Sequence, residues 1–435
     1  MRAGGRLRAA IEVLEAIERE HRPASTALAD WGRTHRFAGS GDRAAIGTLV
    51  FDVLRRRRSL AARMGSDTPR ALVLAGASRS LGMQPEEIAA ATKVGDVHAP
   101  DPVTDVEAQG MASELAPGTD DDIRADFPGW LRPSLVRAFG SRLVAEGEAM
   151  AERAPIDLRV NLLKADRDRV LRALARHNPV PTPLSPVGIR IAPPAGAQRA
   201  PHVEADAAHG KGWFEVQDEG SQIAAALTCA GPRQQVLDLC AGAGGKTLAM
   251  AAAMQNTGQI YAYDADRRQL RPIFERLQRA GARNVQVMDG GDKEALTALG
   301  ARFDVVLVDA PCTGSGTWRR RPDSKWRLKP EALVQRIADQ DAVLSQAADL
   351  VKPGGRIVYV TCSILPEENG DRVAEFIAAH PGFAVQPIAD VWRQCLPGEP
   401  PASADGLTSG TLQLTPASHG TDGFFLSVLV RTAGT

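Results

Sequence analysis

Two apolar runs in this chain each end in a cysteine: Val305-Val-Leu-Val-Asp309-Ala-Pro-Cys312 and Ile357-Val-Tyr-Val-Thr-Cys362. Short continuous runs of valine, isoleucine and leucine are typical of strands buried on both faces of a parallel sheet. If both runs belong to one sheet, the two thiols lie at carboxyl ends, the edge where open α/β sheets bind ligands. We therefore expect two potential nucleophiles in one crevice.

The pattern around these runs extends the sheet. From Trp213 onward, apolar runs alternate with helix-like stretches, which indicates a mostly parallel sheet covered on both faces. The last run follows a long loop without a helical pattern, so we expect it to return antiparallel. The predicted fold class is α/β with seven strands, at residues 236–239, 259–263, 285–288, 305–308, 357–361, 383–387 and 424–430.

The first half of the chain has a different organisation. From Leu7 to about residue 95, apolar residues recur at spacings of three and four, which predicts helices. Residues 97–120 are rich in proline, glycine and acid, which favours an exposed connection. Two strand-like runs then flank a helical stretch, as in a small α/β module. We predict three domains: a helical domain at 1–135, a linking module at 136–210 and the sheet domain at 211–435.

Composition excludes several classes of protein. Of 435 residues, 44% are hydrophobic and 24% charged, as in ordinary globular domains, and five cysteines without regular spacing indicate a reducing cytoplasm. No signal peptide or membrane-spanning run is evident, and the eight histidines lack metal-ligand spacing, so we expect no membrane and no metal. We expect a monomer. The run Arg55-Arg-Arg-Arg58 fits either a polyanion-binding patch or a solvated helix face.

A glycine-rich turn follows the first strand of the sheet: Asp238-Leu-Cys-Ala-Gly-Ala-Gly-Gly-Lys-Thr247. Glycines there let the backbone approach a ligand, and the following helix offers free N–H groups. Asp264 ends the second strand, where dinucleotide folds hold ribose hydroxyls, and Asp289 after the third strand faces an adenine edge. A nucleotide-like cofactor is therefore predicted.

Two other cofactor sites share parts of this pattern. Gly245-Lys-Thr247 ends like a P-loop, but the first glycine of that motif falls at Cys240, and a P-loop leaves Asp264 and the strand-end cysteines unexplained. A hydride-transferring dehydrogenase also has such a glycine loop, which is not diagnostic alone.

Further motifs accompany the two cysteines in order along the chain: Val216-Gln-Asp-Glu-Gly-Ser221, Arg320-Arg-Pro-Asp-Ser-Lys-Trp326, Lys352-Pro-Gly-Gly355, Pro366-Glu-Glu-Asn369 and Asp422-Gly-Phe-Phe425. Over residues 210–432 the chain resembles the RsmB-like and Nop-like RNA cytosine-5 methyltransferases. The resemblance implies a Rossmann-like class I methyltransferase domain, and the helical region is faintly similar to a NusB-like RNA-binding domain. It also implies S-adenosylmethionine as cofactor, held by Cys240, Ala241, Gly242, Ala243, Gly244, Gly245, Lys246, Asp264, Asp289 and Asp309. Ala243 stands where the family loop commonly has proline, which removes no contact group.

The chemistry of cytosine explains a need for thiols. Carbon 5 is too electron-poor to attack a methyl sulfonium, but addition of a thiolate to carbon 6 gives an enamine that can. By resemblance, Cys362 is the nucleophile and Cys312 assists its release. Asp309 is expected to hydrogen-bond the ring edge, and Lys246 to stabilise negative charge nearby.

RNA is the expected partner, most directly small-subunit (16S) rRNA, and the target base must leave its stack to reach a thiol. Basic and aromatic residues follow Cys312, and we assign RNA contacts to Arg320, Asp323, Lys325 and Trp326. A solvated loop is the plainer interpretation of this cluster. A tRNA substrate, a DNA substrate and a non-catalytic RNA-binding or assembly factor remain alternatives. Cys229 and Cys395 are expected to be small packed residues.

Overall fold

The computed structural model describes residues 1–93, 95–196, 198–406 and 410–432 of the chain. A helical region comes first, followed by a four-stranded antiparallel sheet and then an eight-stranded mixed sheet.

The N-terminal region is built from helices, as the three-and-four spacing predicts. Leu7 and Leu14 of the first helix pack with Leu49, Val53 and Leu74 in one buried core. The eight helices are α1 (Ala3–Glu20), α2 (Ala24–Thr34), α3 (Ser40–Arg55), α4 (Arg57–Met64), α5 (Pro69–Leu81), α6 (Pro85–Ala91), α7 (Asp105–Ala112) and α8 (Asp121–Arg124).

Helix α7 corrects the prediction that residues 97–120 are only a connection. Thr104 accepts a hydrogen bond from the N–H of Glu107, and the Glu107 carboxylate accepts one from the N–H of Thr104. This capping box satisfies two N–H groups at the start of the helix. The motif is visible in the sequence as Thr-x-x-Glu, although proline and acid surround it.

The arginine run at the end of α3 makes contacts within the protein. Arg55 donates to the carbonyl of Arg319, Arg56 to the carbonyl of Ala151, and Arg57 and Arg58 pair with Glu18 and Asp122. Arg55 and Arg56 therefore link the helical region to residues outside it, whereas Arg57 and Arg58 form ion pairs within it.

Two helices lead from this region towards the sheets: α9 (Arg132–Phe139) and α10 (Leu143–Met150). Leu131 and Leu135 are buried with Trp318, Leu333 and Ile364 in a shared core. Residues that follow the two cysteines thus pack directly against these helices.

The four-stranded sheet has the order β2-β3-β1-β4 and is antiparallel throughout. In this sheet β4 lies beyond residue 210, the predicted end of the linking module. The division into three domains stays a prediction. The elements are β1 (Ile156–Val160), α11 (Arg167–Ala173), β2 (Val180–Pro181), β3 (Gly188–Ile191), α12 (Ala207–Gly210) and β4 (Phe214–Val216).

The large sheet has the order β10-β12-β9-β8-β5-β6-β7, with β11 paired to β12. Strands β5 to β9 run parallel to one another, and β12 is antiparallel to β9, as the sequence predicts. Strand β11 is an eighth strand that the sequence analysis missed. The strands are β5 (Gln235–Asp238), β6 (Gln259–Ala262), β7 (Val285–Val287), β8 (Phe303–Asp309), β9 (Val351–Thr361), β10 (Phe383–Gln386), β11 (Thr411–Leu414) and β12 (Phe424–Arg431).

Helices cover both faces of this sheet. Val305 and Leu307 of β8 belong to one buried core, and Val306 and Val308 belong to the core on the opposite face. The helices are α13 (Glu219–Ala226), α14 (Gly245–Ala253), α15 (Arg267–Leu270), α16 (Ile273–Ala280), α17 (Lys293–Thr297), α18 (Pro322–Arg327), α19 (Pro330–Leu350), α20 (Gly370–Ala379), α21 (Ile388–Cys395) and α22 (Pro416–His419).

The strand order reverses between β5 and β8. After β5 the chain adds β6 and β7 on one side, and it then returns to place β8 and β9 on the other. Such a reversal leaves a crevice at the carboxyl ends of the two strands, which is where ligands bind in open α/β sheets.

Candidate active site

The glycine-rich turn after β5 forms one wall of this crevice. Gly242 and Gly244 have φ values of 50° and 81°, a left-handed conformation that favours glycine. A Cβ on Gly244 would lie 2.4 Å from Cγ1 of Ile273, so any side chain there collides with α16. The turn therefore folds tightly onto α16 and directs the start of α14 at the crevice.

A cavity of about 810 Å³ opens beside this turn. Eight of the ten residues predicted to hold a cofactor line it: Cys240, Ala241, Gly242, Ala243, Gly245, Lys246, Asp264 and Asp309. Gly244 packs behind the loop against Ile273. Asp264 is held beside the turn, because Oδ2 accepts a hydrogen bond from the N–H of Gly242 at 3.0 Å.

Asp289 does not belong to this cavity lining. Its side chain is 61% exposed and pairs with Arg267. Strand β7 ends two residues earlier, at Val287, so Asp289 lies past the strand end and turns outward. The contact between Asp289 and the cofactor stays a prediction.

Two cavity residues that the sequence analysis did not select carry buried polar atoms without a protein partner. These atoms are Oδ1 of Asp238 and the hydroxyl of Tyr263. Burial raises the pKa of Asp238 to about 7, although Thr247 donates a hydrogen bond to Oδ2. Asp238 could have been found from its place directly before the glycine loop, whereas Tyr263 carries no comparable signal.

The two strand-end cysteines meet at the adjoining part of the crevice. Their Sγ atoms lie 3.3 Å apart, and both thiols are free and partly exposed. Strands β8 and β9 are parallel neighbours, and the N–H of Gly316 donates to the carbonyl of Cys362 at 2.9 Å. The hydrogen bond with Cys362, together with burial, raises the pKa of Cys312 well above its usual range.

Lys246 follows the glycine-rich turn and contacts the end of β8, the strand that precedes Cys312. Its Nζ donates to Oδ2 of Asp309 at 2.6 Å. Burial alone would lower the pKa of Lys246, but the charges of Asp309 and Cys362 act in the opposite direction and leave that pKa above its ordinary value. A protonated amine is thus fixed between the cavity and the thiols.

The four residues predicted to contact RNA lie in contacts within the protein. Arg320 pairs with Asp218 and Asp422, and Asp323 accepts from Arg327 and from the N–H of Ala24. Lys325 is 3% exposed and donates to the carbonyl of Arg55 at 3.0 Å. Trp326 donates to the carbonyl of Leu54 at 2.6 Å.

This placement corrects the RNA assignment, most clearly for Lys325 and Trp326. Both side chains hold α18 against α3, and burial lowers the pKa of Lys325 to about 8. The sequence pattern of basic and aromatic residues is the same for a domain contact as for an RNA surface.

The remaining cysteines keep the roles expected of packed residues. The thiols of Cys229 and Cys395 both donate to the carbonyl of Val391, and both residues border the core beneath the sheet. Among the residues that the structure describes, no cluster of histidine, cysteine and acidic side chains suits a metal ion. Within the same residues, no helix is long and apolar enough to cross a membrane.

The doubly wound sheet and the cavity beside the glycine turn define a Rossmann-like methyltransferase fold. A family model described as 16S rRNA methyltransferase RsmB/F matches residues 226–430, and a model of the ferredoxin-like domain of these proteins matches residues 127–198. Ribosomal RNA small subunit methyltransferase B of Sodalis glossinidius is 35% identical over 301 residues, covering 67% of each chain. The chain belongs to the RsmB/F family of rRNA methyltransferases.

Two solved structures share the fold. The crystal structure of PH0851 superposes with a TM-score of 0.75 at 24% identity and covers 99% of each chain. The structure of NSun6 from Pyrococcus horikoshii with SFG has a TM-score of 0.61 at 21% identity, covering 71% of this chain and 99% of that one.

Proposed function

We propose that this chain transfers a methyl group from S-adenosylmethionine to carbon 5 of a cytosine in RNA, with 16S rRNA as the substrate. The observation that carries the proposal is the pair of thiols 3.3 Å apart, joined to a cofactor-sized cavity by Lys246. One thiol serves a simple nucleophilic role, whereas two adjacent thiols suit a reaction in which a covalent bond must form and then break. Membership of an rRNA methyltransferase family supports RNA as the substrate.

The cavity has the functional groups that S-adenosylmethionine requires. The unpaired carboxylate oxygen of Asp238 suits the ammonium group of the amino acid moiety, and Asp264 suits the ribose hydroxyls. The loop from Cys240 to Lys246 supplies backbone N–H groups. The structure of NSun6, which shares the fold, was solved with SFG, an S-adenosylmethionine analogue. When bound, S-adenosylmethionine supplies an electrophilic methyl group.

Cys362 is the proposed nucleophile. As a thiolate it forms a bond to carbon 6, and the electron pair of the carbon 5–carbon 6 double bond shifts to form a carbon 4–carbon 5 double bond while nitrogen 3 takes a proton. The resulting enamine has a nucleophilic carbon 5. Lys246 places a positive charge close to the sulfur where the thiolate forms. Asp309 lies beside Lys246, in position to hydrogen-bond the edge of the ring that gains a proton.

The release step breaks the bond between the Cys362 sulfur and carbon 6. Once carbon 5 has taken the methyl group, S-adenosylhomocysteine would be left in the cavity. A water molecule acting as base takes the proton from carbon 5, the electron pair of that carbon–hydrogen bond restores the carbon 5–carbon 6 double bond, the sulfur–carbon 6 bond breaks and Cys362 leaves as a thiolate. Cys312, whose raised pKa keeps it protonated, lies 3.3 Å away and donates a hydrogen bond to the departing sulfur. We assign Cys312 to this step.

RNA reaches the crevice as an unstacked base. The helical domain at 1–135 and the linking module at 136–210 are proposed to guide the strand, with the methyltransferase domain at 211–435 providing the site. Arg321 and Lys329 remain exposed near α18 and are the candidates for backbone phosphate contacts. The proposed enzyme works in the cytoplasm.

The test is a covalent trap. Cys312→Ala and Cys362→Ala variants are incubated with S-adenosylmethionine and total cellular RNA and separated by denaturing electrophoresis. We expect a protein–RNA adduct from Cys312→Ala and none from Cys362→Ala, with Cys229→Ala as the matched control that behaves like the unaltered protein. Sequencing of the trapped RNA separates 16S rRNA from tRNA. An adduct only from Cys362→Ala would exchange the two roles, and cofactor binding without any methyl transfer would indicate a non-catalytic RNA-binding factor.

A further inference from the structure

A buried carboxylate lies behind the two thiols. Glu368 follows β9 in the Pro366-Glu-Glu-Asn369 motif, and its side chain is fully buried. Its Oε1 accepts hydrogen bonds from the N–H of Thr313 at 2.8 Å and from Nε2 of Gln340 at 3.1 Å. Its Oε2 accepts from the hydroxyls of Thr313 and Ser363.

These partners tie together both cysteine loops. Thr313 directly follows Cys312, and Ser363 directly follows Cys362. Gln340 of α19 also donates to the carbonyl of Pro311 at 2.9 Å, on the other side of Cys312. One side chain therefore fixes the segments on which the distance between the two sulfur atoms depends.

We propose that Glu368 is a positioning residue for the two thiols: its carboxylate clamps the Cys312 loop to the Cys362 loop and places a fixed negative charge beside Cys312. The inference rests on the proposed function, because it explains how two like thiols acquire different tasks. The four donors are neutral, so the charge of the carboxylate is solvated by hydrogen bonds without being cancelled.

The charge acts on Cys312. The hydrogen bond with Cys362 and burial raise the pKa of Cys312, and the negative charge of Glu368 adds to the rise. Burial raises the pKa of Glu368 itself, and the hydrogen bonds from Ser363 and Thr313 oppose that rise. Cys312 is thereby retained as a hydrogen-bond donor beside Cys362.

Other titratable groups face this pair from three sides. Tyr359 of β9 donates its hydroxyl to the carbonyl of Glu368 at 2.6 Å, and burial raises its pKa well above the usual range, so it stays neutral. Lys246 and Asp309 form their ion pair on the cofactor side, and Arg372 of α20 is paired with Asp341 and Glu375. Among these groups, Glu368 is the anion that acts on Cys312.

Glu368→Gln separates the clamp from the charge. The amide oxygen accepts the hydrogen bonds from Thr313 and Gln340, and the amide nitrogen donates to the two hydroxyl oxygens, which can rotate their protons away. Glu368→Ala removes both the clamp and the charge. Glu367→Gln is the matched control, because it makes the same change one residue earlier, where the carboxylate accepts from Ser134 and pairs with Arg137.

The measurement is the initial rate at which iodoacetamide alkylates each cysteine in the full chain, with no RNA or cofactor, read by peptide mass spectrometry across the pH range. Since the thiolate is the reactive form, the rate reports ionisation. We expect Cys362 to react at least tenfold faster than Cys312 near pH 7.5 in the unaltered protein and in Glu367→Gln. In Glu368→Gln that ratio should fall severalfold, because Cys312 ionises at lower pH.

Equal ratios in Glu368→Gln and the unaltered protein would overturn the role of the charge. A folded Glu368→Ala protein, judged by circular dichroism, that retains full methyl transfer would overturn the clamp. If Glu368→Ala does not fold, Gln340→Ala tests the clamp in its place, because it removes one donor to the carboxylate and the hydrogen bond to the carbonyl of Pro311. Full methyl transfer by that variant would overturn the clamp. The alkylation rates do not depend on the substrate, so failure of the cytosine-5 chemistry in the trapping experiment leaves this result readable, and the converse also holds.

Discussion

The ammonium nitrogen of Lys246 lies 2.6 Å from Oδ2 of Asp309, and this ion pair joins the first turn of α14 to the end of β8. Lys246 is only 7% exposed, so its charge is poorly screened by water. The cofactor loop and the strand that carries Cys312 are therefore held together by the same group that places a positive charge near Cys362.

Replacement of Lys246 should slow methyl transfer without unfolding the protein. In Lys246→Gln the side chain keeps a donor for Asp309 but loses the positive charge near Cys362, and we expect a fall in kcat of about 100-fold, the usual effect of removing one preorganised electrostatic group. Steady-state kinetics against RNA provide the measurement. Lys352→Gln, which removes a lysine paired with Asp304 at the opposite end of the sheet, is the control. Equal kcat values for the two variants would contradict the role of Lys246.

Cofactor affinity should depend on pH through Asp238. The pKa of this carboxyl is raised to about 7, and a cationic amino acid moiety binds the ionised form, so affinity should be constant above that pH and should fall below it. The limiting slope is about tenfold for each pH unit, down to the pH at which the bound group itself protonates. Calorimetric titration of S-adenosylmethionine gives the profile. Asp238→Asn should bind weakly at all pH values, and a profile unchanged by that substitution would exclude Asp238 as the titrating group.

Lys325 should make stability rise with pH. Burial lowers the pKa of this lysine in the folded protein to about 8, below its ordinary value of 10.5, so between these values the unfolded chain binds more protons. Stability then increases with pH, by about 3 kcal/mol at most across this interval. Denaturant unfolding of the unaltered protein and of Lys325→Met isolates the effect, because all other titrating groups are shared. A difference in unfolding free energy that stays constant from pH 8 to pH 10.5 would contradict the prediction.

The loop that carries Cys312 should not tolerate a side chain at Gly316. A Cβ there would lie 2.1 Å from the carbonyl oxygen of Gly423, where two backbone segments cross. Gly316→Ala must push the loop away from β12 and should cost about 1–3 kcal/mol of stability and most of the activity. Thermal unfolding and methyl transfer are both measured. Gly41→Ala, where a Cβ meets nothing within 4 Å, is the control and should lower neither.

The sequence alone locates the reactive edge because strand-end positions follow from short apolar runs. Cys312, Cys362 and Asp309 end their strands together for that reason, and the glycine turn follows from the conformational freedom of its residues. The antiparallel final strand was predicted from the long segment before it that lacks a helical pattern, although the structure places α21, β11 and α22 in that segment.

The errors arise where a residue pattern has two structural uses. Lys325 and Trp326 donate to carbonyl groups of α3, and nothing local in the sequence tells this from RNA binding. The third strand of the sheet ends at Val287, one residue earlier than its apolar run suggests. Strand β11 is four residues long and contains a buried Gln413 whose amide donates to backbone carbonyls, a role visible only after folding.

The place of β12 in the sheet has a consequence for synthesis of the protein on the ribosome. This late strand lies between β9 and β10, so β9 has an open hydrogen-bonding edge until residues 424–431 have left the exit tunnel. A nascent chain that ends before β12 exposes the apolar strand preceding Cys362, and exposed edges of this kind pair readily with other chains. Production of the enzyme therefore depends on protection of that edge until β12 has been synthesised.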